Sequence, residues 1–387
     1  MKIKEVISSK IINSNSNYTI QVKIDTENGV FRGSSPAGES TSQYEISQFK
    51  DNIDNVIKSF NQFLKGLKNK EFSSIKDIYS LEKSIPEQFI GGASLSLSYA
   101  LVYALSNSLK IEPYKLFGKK STVLPISKVL GGGVHASNLA MDIQEILVST
   151  LTDSVNESIN GTLRVYKELK RLLKDSTSSF LGGVDPEGGF VTGLDNYESL
   201  LLAKKAIEHV IKDTGFDIRL GVDMAASTFY KDGKYSYRRP LYEKKEVSRE
   251  EQIDLVKKLA EEFDLYYIED PVDETLIDDY AAIMSANDAL VVADDATSTL
   301  TSRLLKASGK VNATIIKPNQ VGLLHKVVEF SELADKLKIT KIVSHRSEET
   351  CIPIISDIAV GLSAKYLKVG INRGERVEKI NRLLELS

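Results

Sequence analysis

The second half of the chain repeats one pattern, a short apolar run that ends on a charged side chain. The clearest runs are LYYIED, ALVVAD and NATIIK, and they carry Glu269, Asp294 and Lys317 at their ends. Runs of this kind, rich in β-branched and aromatic residues, indicate buried strands. A lone charge is too costly to bury, so each of these charges needs a polar pocket or a partner. Three in succession predict strand ends that meet at one polar site.

The pattern continues in both directions along the chain. Further polar ends are Asp223 in DIRLGVD, Ser344, His345, Arg346 and Ser347 in TKIVSHRS, and Lys368 in KYLKVG. Helical patterns at 250–263, 323–337 and 353–364 separate the strands. Strand alternating with helix predicts a parallel sheet, and so many units favour a (β/α) barrel with its active site at the C-terminal strand ends. Helix caps and loop charges explain any one such end equally well, but not the whole series.

Composition narrows the classes of protein that fit. A length of 387 residues accommodates a small domain and a barrel, and 42% hydrophobic residues suffice for a full core. The net charge of −3 argues against a general nucleic-acid binder. Cys351 is the only cysteine, so no intramolecular disulfide forms, as expected of a cytoplasmic protein. No membrane segment or secretory signal is predicted, because MKIKEVISSK lacks a long apolar stretch and the window 93–109 is too short to span a bilayer.

The first part of the chain has a different pattern. YTIQVKID and VFRGSS flank an Asn-Gly pair, which is the strongest short signal for a β-hairpin. An amphipathic helix at 53–64 and a buried helix at 93–109 follow. We therefore predict an α+β domain over residues 1–120 and a barrel over 121–387. Between these elements lies SSPAGESTSQYE (34–45), which is either an ordinary surface loop or a mobile lid that reaches a phosphate or a metal.

Three stretches near the predicted start of the barrel add candidate site residues. GGGVHASN lets backbone approach a ligand closely and places His135 where it can contact an anion, although a histidine there is more often structural. MDIQEILV puts Gln144 and Glu145 beside an apolar strand. DPEGGF puts Glu187 in a tight turn, where a carboxylate is either catalytic or simply a turn residue.

Ten motifs together resemble the enolase (phosphopyruvate hydratase) family over nearly the whole chain, which is identified as a divergent and somewhat short member. They are SPAGESTSQYE, GGGVHASN, IQE, EGGF, VDMAASTFYKDGKY, YYIEDP, VVADD, IIKPNQVG, VSHRSEET and VGINRGERVEKINRLLEL. The resemblance implies an α+β N-terminal domain followed by an enolase-type α/β (TIM) barrel that starts irregularly.

The resemblance also implies a metal centre with two Mg²⁺ sites. Asp223, Glu269 and Asp294 match the carboxylates that hold the first Mg²⁺. Ser40 matches the lid serine that completes the second site together with substrate phosphate. Oxygen ligands of this kind suit a hard divalent cation, which stabilises the extra negative charge of an aci-carboxylate.

The matched positions further imply catalytic and binding roles in the reversible dehydration of 2-phospho-D-glycerate to phosphoenolpyruvate. Lys317 matches the base that removes the C2 proton, and Glu187 matches the acid for the C3 hydroxyl, with Glu145 as its neighbour. The remaining matches are Lys368 at the substrate carboxylate, Arg346 and Ser347 at the phosphate, and His135, Gln144 and His345 lining the closed site. A lysine base needs a lowered pKa, and we expect burial, Mg²⁺ and Lys368 to lower that of Lys317; this is the established arrangement of enolase-superfamily sites.

Several residues depart from the family pattern. They are Glu39, Ser137, Pro186, Pro318, Glu348 and the segment NSNSNYT, which lies near the usual dimer interface. Two added carboxylates near a phosphate site weaken binding if they point inward. The departures leave three hypotheses: an enolase of glycolysis and gluconeogenesis, a paralogue that acts on a related acid, or a non-catalytic relative. Family members are usually homodimers and sometimes octamers.

Overall fold

The computed structural model describes residues 1–39, 41–136, 140–176 and 180–387. Two positions discussed above, Ser40 and Ser137, lie outside the described residues. The chain begins with an antiparallel sheet in the order β1-β2-β3, formed by β1 (Ile3–Ile12), β2 (Tyr18–Thr26) and β3 (Gly29–Ser34). The predicted Asn-Gly hairpin joins β2 to β3, and Gly29 has a φ of 128° that other residues rarely adopt.

Three helices follow: α1 (Ile53–Lys65) and α3 (Gly92–Leu109) pack on this sheet, and α2 (Ile75–Glu82) packs against α3. Helix α3 is apolar nearly all round and buried along most of its length, because β2 and β3 cover one of its sides. The contact with β3 is close enough that a Cβ on Gly33 would meet the carbonyl oxygen of Ser96 at 2.2 Å. The antiparallel sheet and its helices form the predicted α+β unit.

The rest of the chain alternates strands and helices in the order β4 (Leu124–Gly131), β5 (Glu145–Leu151), α4 (Val155–Ser176), α5 (Asn196–Thr214), β6 (Asp217–Asp223), β7 (Tyr230–Lys231), β8 (Lys234–Leu241), β9 (Lys244–Ser248), α6 (Arg249–Phe263), β10 (Leu265–Glu269), α7 (Asp279–Met284), β11 (Leu290–Ala293), α8 (Thr301–Ala307), β12 (Ala313–Ile316), α9 (Leu324–Leu337), β13 (Thr340–Ser344), α10 (Ile354–Gly361), β14 (Tyr366–Lys368) and α11 (Gly374–Leu386). A closed barrel forms in the order β10-β11-β12-β13-β14-β4-β5-β6. The predicted α/β barrel is therefore confirmed.

The barrel departs from a purely parallel sheet at its start. Strand β5 pairs antiparallel with both β4 and β6, whereas the other neighbouring strands pair in parallel. The strands from which a parallel sheet was predicted, β6 and β10 to β14, do pair in parallel. The irregular start implied by the family resemblance is what the structure shows. A second departure is the small sheet β7-β8-β9, which fills the long interval between β6 and β10.

Alternation along the strands determines where the charges lie. The barrel interior is a cluster of buried apolar residues from the barrel strands that includes Ile126, Leu147, Tyr267, Ile315 and Tyr366. Side chains two positions apart share a face of a strand. Lys128, Glu145, Glu269, Lys317 and Lys368 therefore continue this inner face, one layer beyond the apolar cluster and at the end of the barrel where the parallel strands terminate.

In the described part of the chain, no helix is both long and apolar enough to cross a bilayer.

Candidate active site

One pocket at the C-terminal ends of the barrel strands gathers most of the predicted site residues. Its lining includes His135, Gln144, Glu145, Glu187, Asp223, Asp294, Lys317, His345, Arg346, Ser347 and Lys368. Glu269 lies directly beside this lining, because β10 and β6 pair in a register that sets it next to Asp223. Ser40 is the one predicted site residue outside the described residues.

Lys368 binds a group of buried carboxylates. Its ammonium donates to Asp223 Oδ2 at 2.8 Å and to Glu269 Oε2 at 2.7 Å, and it lies 3.3 Å from Glu145 Oε1. Burial on its own lowers the pKa of Lys368, but these three carboxylates outweigh it and raise the pKa well above its usual value. Lys368 is therefore a fixed positive charge.

Glu269 has the environment of a metal ligand. Its Oε2 accepts from Lys368 and from the Tyr267 hydroxyl, while its buried Oε1 has no partner among the described residues. Burial, and then the negative charge of Asp223, raise the pKa of Glu269 well above its usual value. A divalent cation would satisfy Oε1 and supply the missing positive charge, so the residues fit an oxygen-liganded Mg²⁺.

A group of three carboxylates on this side, Asp270, Asp294 and Asp295, brings oxygen atoms within 4.8 Å of one another. Asp270 was not among the predicted ligands, and it accepts the backbone N–H groups of Asp294 at 3.1 Å and Asp295 at 2.8 Å. It also accepts from the Tyr280 hydroxyl at 2.8 Å. Asp270 therefore holds the end of β11 in place and leaves the Asp294 side chain to face the pocket.

Lys317 follows β12 and forms an ion pair with the Asp294 carboxylate. Burial on its own lowers the pKa of Lys317, but Asp294 outweighs it and raises the pKa above its usual value. The expectation of a lowered pKa is thus not met while Asp294 serves Lys317 alone. The charges of Arg346 and Lys368 lower the pKa of Lys317, as expected. A cation bound by Asp294 would weaken the Asp294–Lys317 interaction that raises this pKa.

Glu187 faces the pocket from the other side of the barrel. Its turn is shaped by Asp185, whose Oδ1 accepts the backbone N–H groups of Glu187 at 2.8 Å and Gly189 at 3.0 Å. Glu187 Oε2 accepts from Lys128 at 3.0 Å, and Oε1 lies 3.9 Å from His345 Nε2. Burial favours the neutral acid, but Lys128 and the other nearby cations hold the pKa of Glu187 well below its usual range.

The pKa of Glu145 is shifted in the opposite direction to that of Glu187. Its carboxylate oxygen lies within 4.8 Å of that of Glu187. Burial, and then the negative charge of Glu187, raise the pKa of Glu145 to about 8. At neutral pH the two carboxyl groups therefore hold one proton between them, with Glu145 as the protonated member.

Two histidines present N–H groups to the pocket. Lys128 Nζ lies 2.9 Å from His135 Nδ1, and Arg376 Nε donates to His345 Nδ1 at 3.1 Å. Neither cation can accept a hydrogen bond, so each Nδ1 is the acceptor and each Nε2 carries the proton. Both Nε2 atoms are buried without a partner among the described residues. Burial, and then the charge of Lys128, lower the pKa of His135 to about 3, so it is neutral at neutral pH.

Arg346 and Ser347 contact the segment predicted as a lid. The Arg346 guanidinium donates to both oxygens of Glu45, at 2.9 and 3.2 Å. Ser347 Oγ accepts the backbone N–H of Glu39 at 2.7 Å. A Cβ on Gly38 would lie 1.7 Å from Arg346 Nη2, so only glycine permits this approach. A substrate phosphate would compete with Glu45 for the guanidinium.

The added carboxylate of Glu348 is directed to the N-terminal sheet. It accepts from Asn13 Nδ2 at 2.7 Å and from Asn17 Nδ2 at 3.0 Å. Both asparagines belong to NSNSNYT, the segment that departs from the family pattern. The side chain of the other added carboxylate, Glu39, is exposed. Glu348 is therefore bound by the turn before β2 and is not directed at the Arg346 guanidinium.

Besides Asp270, sequence reasoning missed other residues that shape the pocket: Lys128, Asp185, Glu45 and Arg376. Lys128 had a usable signal, since it is a charge within the apolar run VLPISKVL, the pattern that identified Lys317. Arg376 and Glu45 had none, because each reaches the pocket from an element that the pattern of strand ends does not cover.

The comparisons with known proteins agree on one family. The C-terminal TIM barrel domain of enolase matches residues 120–387. An enolase of Methanosphaera stadtmanae is 32% identical over 401 residues, which cover 99% of this chain and 96% of that protein. An enolase of Thermoplasma acidophilum is 32% identical over 399 residues, with 100% and 98% of the two chains covered. One of Methanothermobacter thermautotrophicus is 31% identical with 99% and 96% covered.

Proposed function

The chain belongs to the enolase family of lyases, and on that premise we propose that it catalyses the Mg²⁺-dependent, reversible dehydration of 2-phospho-D-glycerate to phosphoenolpyruvate. The observation that carries this proposal is the composition of the pocket. It joins unsatisfied carboxylate oxygens, a lysine on one side, a carboxyl pair on the other and an arginine–serine pair at the rim.

The metal is proposed to bind Asp223, Glu269 and Asp294, and a second Mg²⁺ to bind Ser40 together with the substrate phosphate. When bound, Mg²⁺ supplies positive charge that stabilises the aci-carboxylate formed at the substrate. Support for the first site comes from the unpartnered Glu269 Oε1 and from the burial of these carboxylates. Ser40 is assigned from the family resemblance alone.

Substrate binding is proposed to use the fixed charges of the pocket. Lys368 contacts the substrate carboxylate, and Arg346 with Ser347 takes the phosphate in place of Glu45 and the Glu39 backbone. His135, Gln144 and His345 line the closed site, where their unpartnered polar atoms hold the substrate oxygens. Closing of the segment 34–45 would exclude water from this pocket.

Proton removal at C2 is proposed for Lys317. In its neutral form the amine accepts the C2 proton, and the electron pair of the C–H bond moves toward the substrate carboxylate. Asp294 must first be engaged elsewhere, because in its ion pair with Lys317 it keeps the proton on the amine.

Loss of the C3 hydroxyl is proposed for the carboxyl pair on the other side. The shared proton passes from Glu145 to Glu187, and Glu187 delivers it to the C3 oxygen. The C3–O bond then breaks toward oxygen, the electron pair held at C2 forms the C2=C3 bond, and water leaves. In the reverse direction Glu187 takes the proton from the attacking water, and Glu145 holds it in the resting site.

Wider features follow the family as further proposals. We propose a division into an α+β domain over 1–120 and a barrel over 121–387, a cytoplasmic location and a role in glycolysis and gluconeogenesis. A homodimer, or a higher oligomer, is the proposed assembly.

A comparison of substrates tests the proposed reaction against a paralogue. C2 proton exchange and turnover are measured with 2-phosphoglycerate and with unphosphorylated glycerate, both with Mg²⁺. The proposal predicts exchange with the phosphorylated acid only, because Arg346 and Ser347 have nothing to bind in glycerate. Faster turnover of an unphosphorylated acid would replace the proposal with a paralogous reaction.

A further inference from the structure

Lys128 is a buried lysine to which the family resemblance assigns no role. It lies in β4 and is 1% exposed. Ile126, two residues earlier, belongs to the apolar interior of the barrel, so Lys128 points inward and into the layer of catalytic charges.

Its ammonium has three partners around the proposed leaving-group acid. Nζ donates to Glu187 Oε2 at 3.0 Å and lies 2.9 Å from His135 Nδ1. It also lies 2.6 Å from Asp185 Oδ2, an ion pair whose geometry is not that of a hydrogen bond. Asp185 in turn holds the backbone N–H of Glu187. Lys128 thus contacts the acid, the turn that carries it and a neighbouring histidine.

The Lys128 ammonium also supplies the positive charge on this side of the pocket. His135, Glu145 and Glu187 bring their ligand atoms within 4.8 Å of one another, a spacing that would otherwise admit a metal. Lys128 already lies against His135 Nδ1 and Glu187 Oε2. The positive charge here is therefore part of the chain itself.

We propose that Lys128 is a positioning residue for the dehydration step: it holds Glu187 by Oε2, so that Oε1 is left to deliver the proton to the C3 hydroxyl, and it keeps the proton of His135 on Nε2. This inference rests on the proposed function. In the step, Glu187 first takes the shared proton from Glu145; its O–H bond then breaks, the proton joins the C3 oxygen, the C3–O bond breaks and water departs. The carboxylate that remains on Glu187 is stabilised by the Lys128 ammonium.

The prediction separates the two halves of the reaction. Lys128 contacts Glu187 on one side of the pocket, whereas Lys317 works from β12 on the other side. Removing the charge should therefore slow dehydration and leave C2 proton exchange nearly unchanged. A residue that merely supports the fold would slow both.

The test compares Lys128→Met, Lys128→Arg and the control Lys341→Met in the full chain with Mg²⁺. Lys341 is also a buried barrel lysine, but its ammonium binds Asp335 and the Leu362 carbonyl, away from the pocket. Each variant is checked for folding by circular dichroism. C2 exchange of 2-phosphoglycerate in D₂O and formation of phosphoenolpyruvate are then measured side by side.

We expect Lys128→Met to lower kcat for dehydration roughly 10- to 100-fold, the range of a lost charge-assisted hydrogen bond, with KM and the exchange rate changed less than about threefold. Lys128→Arg should recover part of the loss, and Lys341→Met should show no such split. Equal loss of both reactions, or loss of neither, would overturn the inference. If Lys128→Met does not fold, Lys128→Gln is measured against the same two outcomes.

A second measurement does not depend on activity. The chain has four histidines, so imidazole ¹⁵N shifts can be assigned by substitution. The inference predicts that His135 carries its proton on Nε2 and that Lys128→Met shifts its Nδ1 resonance. A proton on Nδ1 in the unaltered chain would overturn it. An unaltered chain that catalyses neither exchange nor dehydration would instead contradict the proposed function.

Discussion

Lys317 and Lys368 are both buried lysines at the ends of barrel strands, but they face different numbers of carboxylates. Lys368 lies against Asp223, Glu145 and Glu269, whereas Lys317 is paired with Asp294. Losing a proton from Lys368 would leave the buried carboxylates of Asp223 and Glu269 without their cation. Lys317 gives up one ion pair only, which supports the proposal that Lys317 is the base.

Replacing that base separates proton removal from metal binding. Lys317→Ala should lower C2 exchange of 2-phosphoglycerate by at least about 10³-fold, because it removes the amine proposed to accept the C2 proton. Mg²⁺ affinity should be kept or slightly raised, since Asp294 loses its competing ammonium. Exchange is followed by NMR in D₂O and Mg²⁺ by calorimetry. Lys306→Ala, on the exposed face of α8, is the control. Loss of Mg²⁺ binding in Lys317→Ala would refute the role given to Lys317.

Among single residues, the sequence identifies charged side chains at the ends of strands and misses side chains that reach the pocket from other elements. Asp223, Asp294, Lys317 and Lys368 were found because a charge beside an apolar run needs a partner. Glu45 was not, since its contact with Arg346 joins residues 301 positions apart. No local pattern encodes such a pair.

Two loops from different parts of the chain interlock at the rim of the pocket. The turn before β2 bonds to the loop after β13: Ser14 N donates to the Glu349 carbonyl at 2.8 Å, and Ser14 Oγ donates to that of Ser347 at 3.2 Å. Asn13 and Asn17 add their bonds to Glu348. The altered N-terminal segment thus supplies hydrogen-bond donors to the added carboxylate of Glu348.

A double-mutant cycle tests the energetic coupling between Asn13 and Glu348. Asn13→Ala and Glu348→Ala are combined, and the free energy of unfolding is measured with urea. We expect a coupling of about 1 kcal/mol, because each substitution removes the same hydrogen bond. Asn15→Ala in the same turn, combined with Glu348→Ala, is the control and should couple weakly. Additive effects for Asn13 and Glu348, within about 0.3 kcal/mol, would contradict the interlock.

The periodicity of the sequence predicts whether a segment is a strand or a helix better than it predicts how the strands pair. The strands of the barrel were found by their apolar runs, and α1, α3, α6 and α9 by their helical spacing. The direction of β5 was not, because the apolar pattern of a buried strand is the same in either direction. The sheet β7-β8-β9 was missed because its strands are partly exposed and rich in charged residues, so they contain no apolar run.

In the whole molecule, the α+β unit completes a site that the barrel leaves open. Glu45 reaches Arg346, Ser42 Oγ donates to Glu274 at 2.5 Å, and the backbone of Ala37 pairs with that of Glu348. The barrel carries the lysines and most of the carboxylates, while the side proposed to take the phosphate is covered by the N-terminal unit. Separate expression of the barrel would therefore be a poor substitute for the full chain.

The most direct test of the account is the ultraviolet absorbance of phosphoenolpyruvate when the purified full chain meets 2-phosphoglycerate, with Mg²⁺ and with a chelator. The account predicts a rise that requires Mg²⁺ and is lost in Lys317→Ala. A protein that binds Mg²⁺ and 2-phosphoglycerate but produces no rise would contradict it.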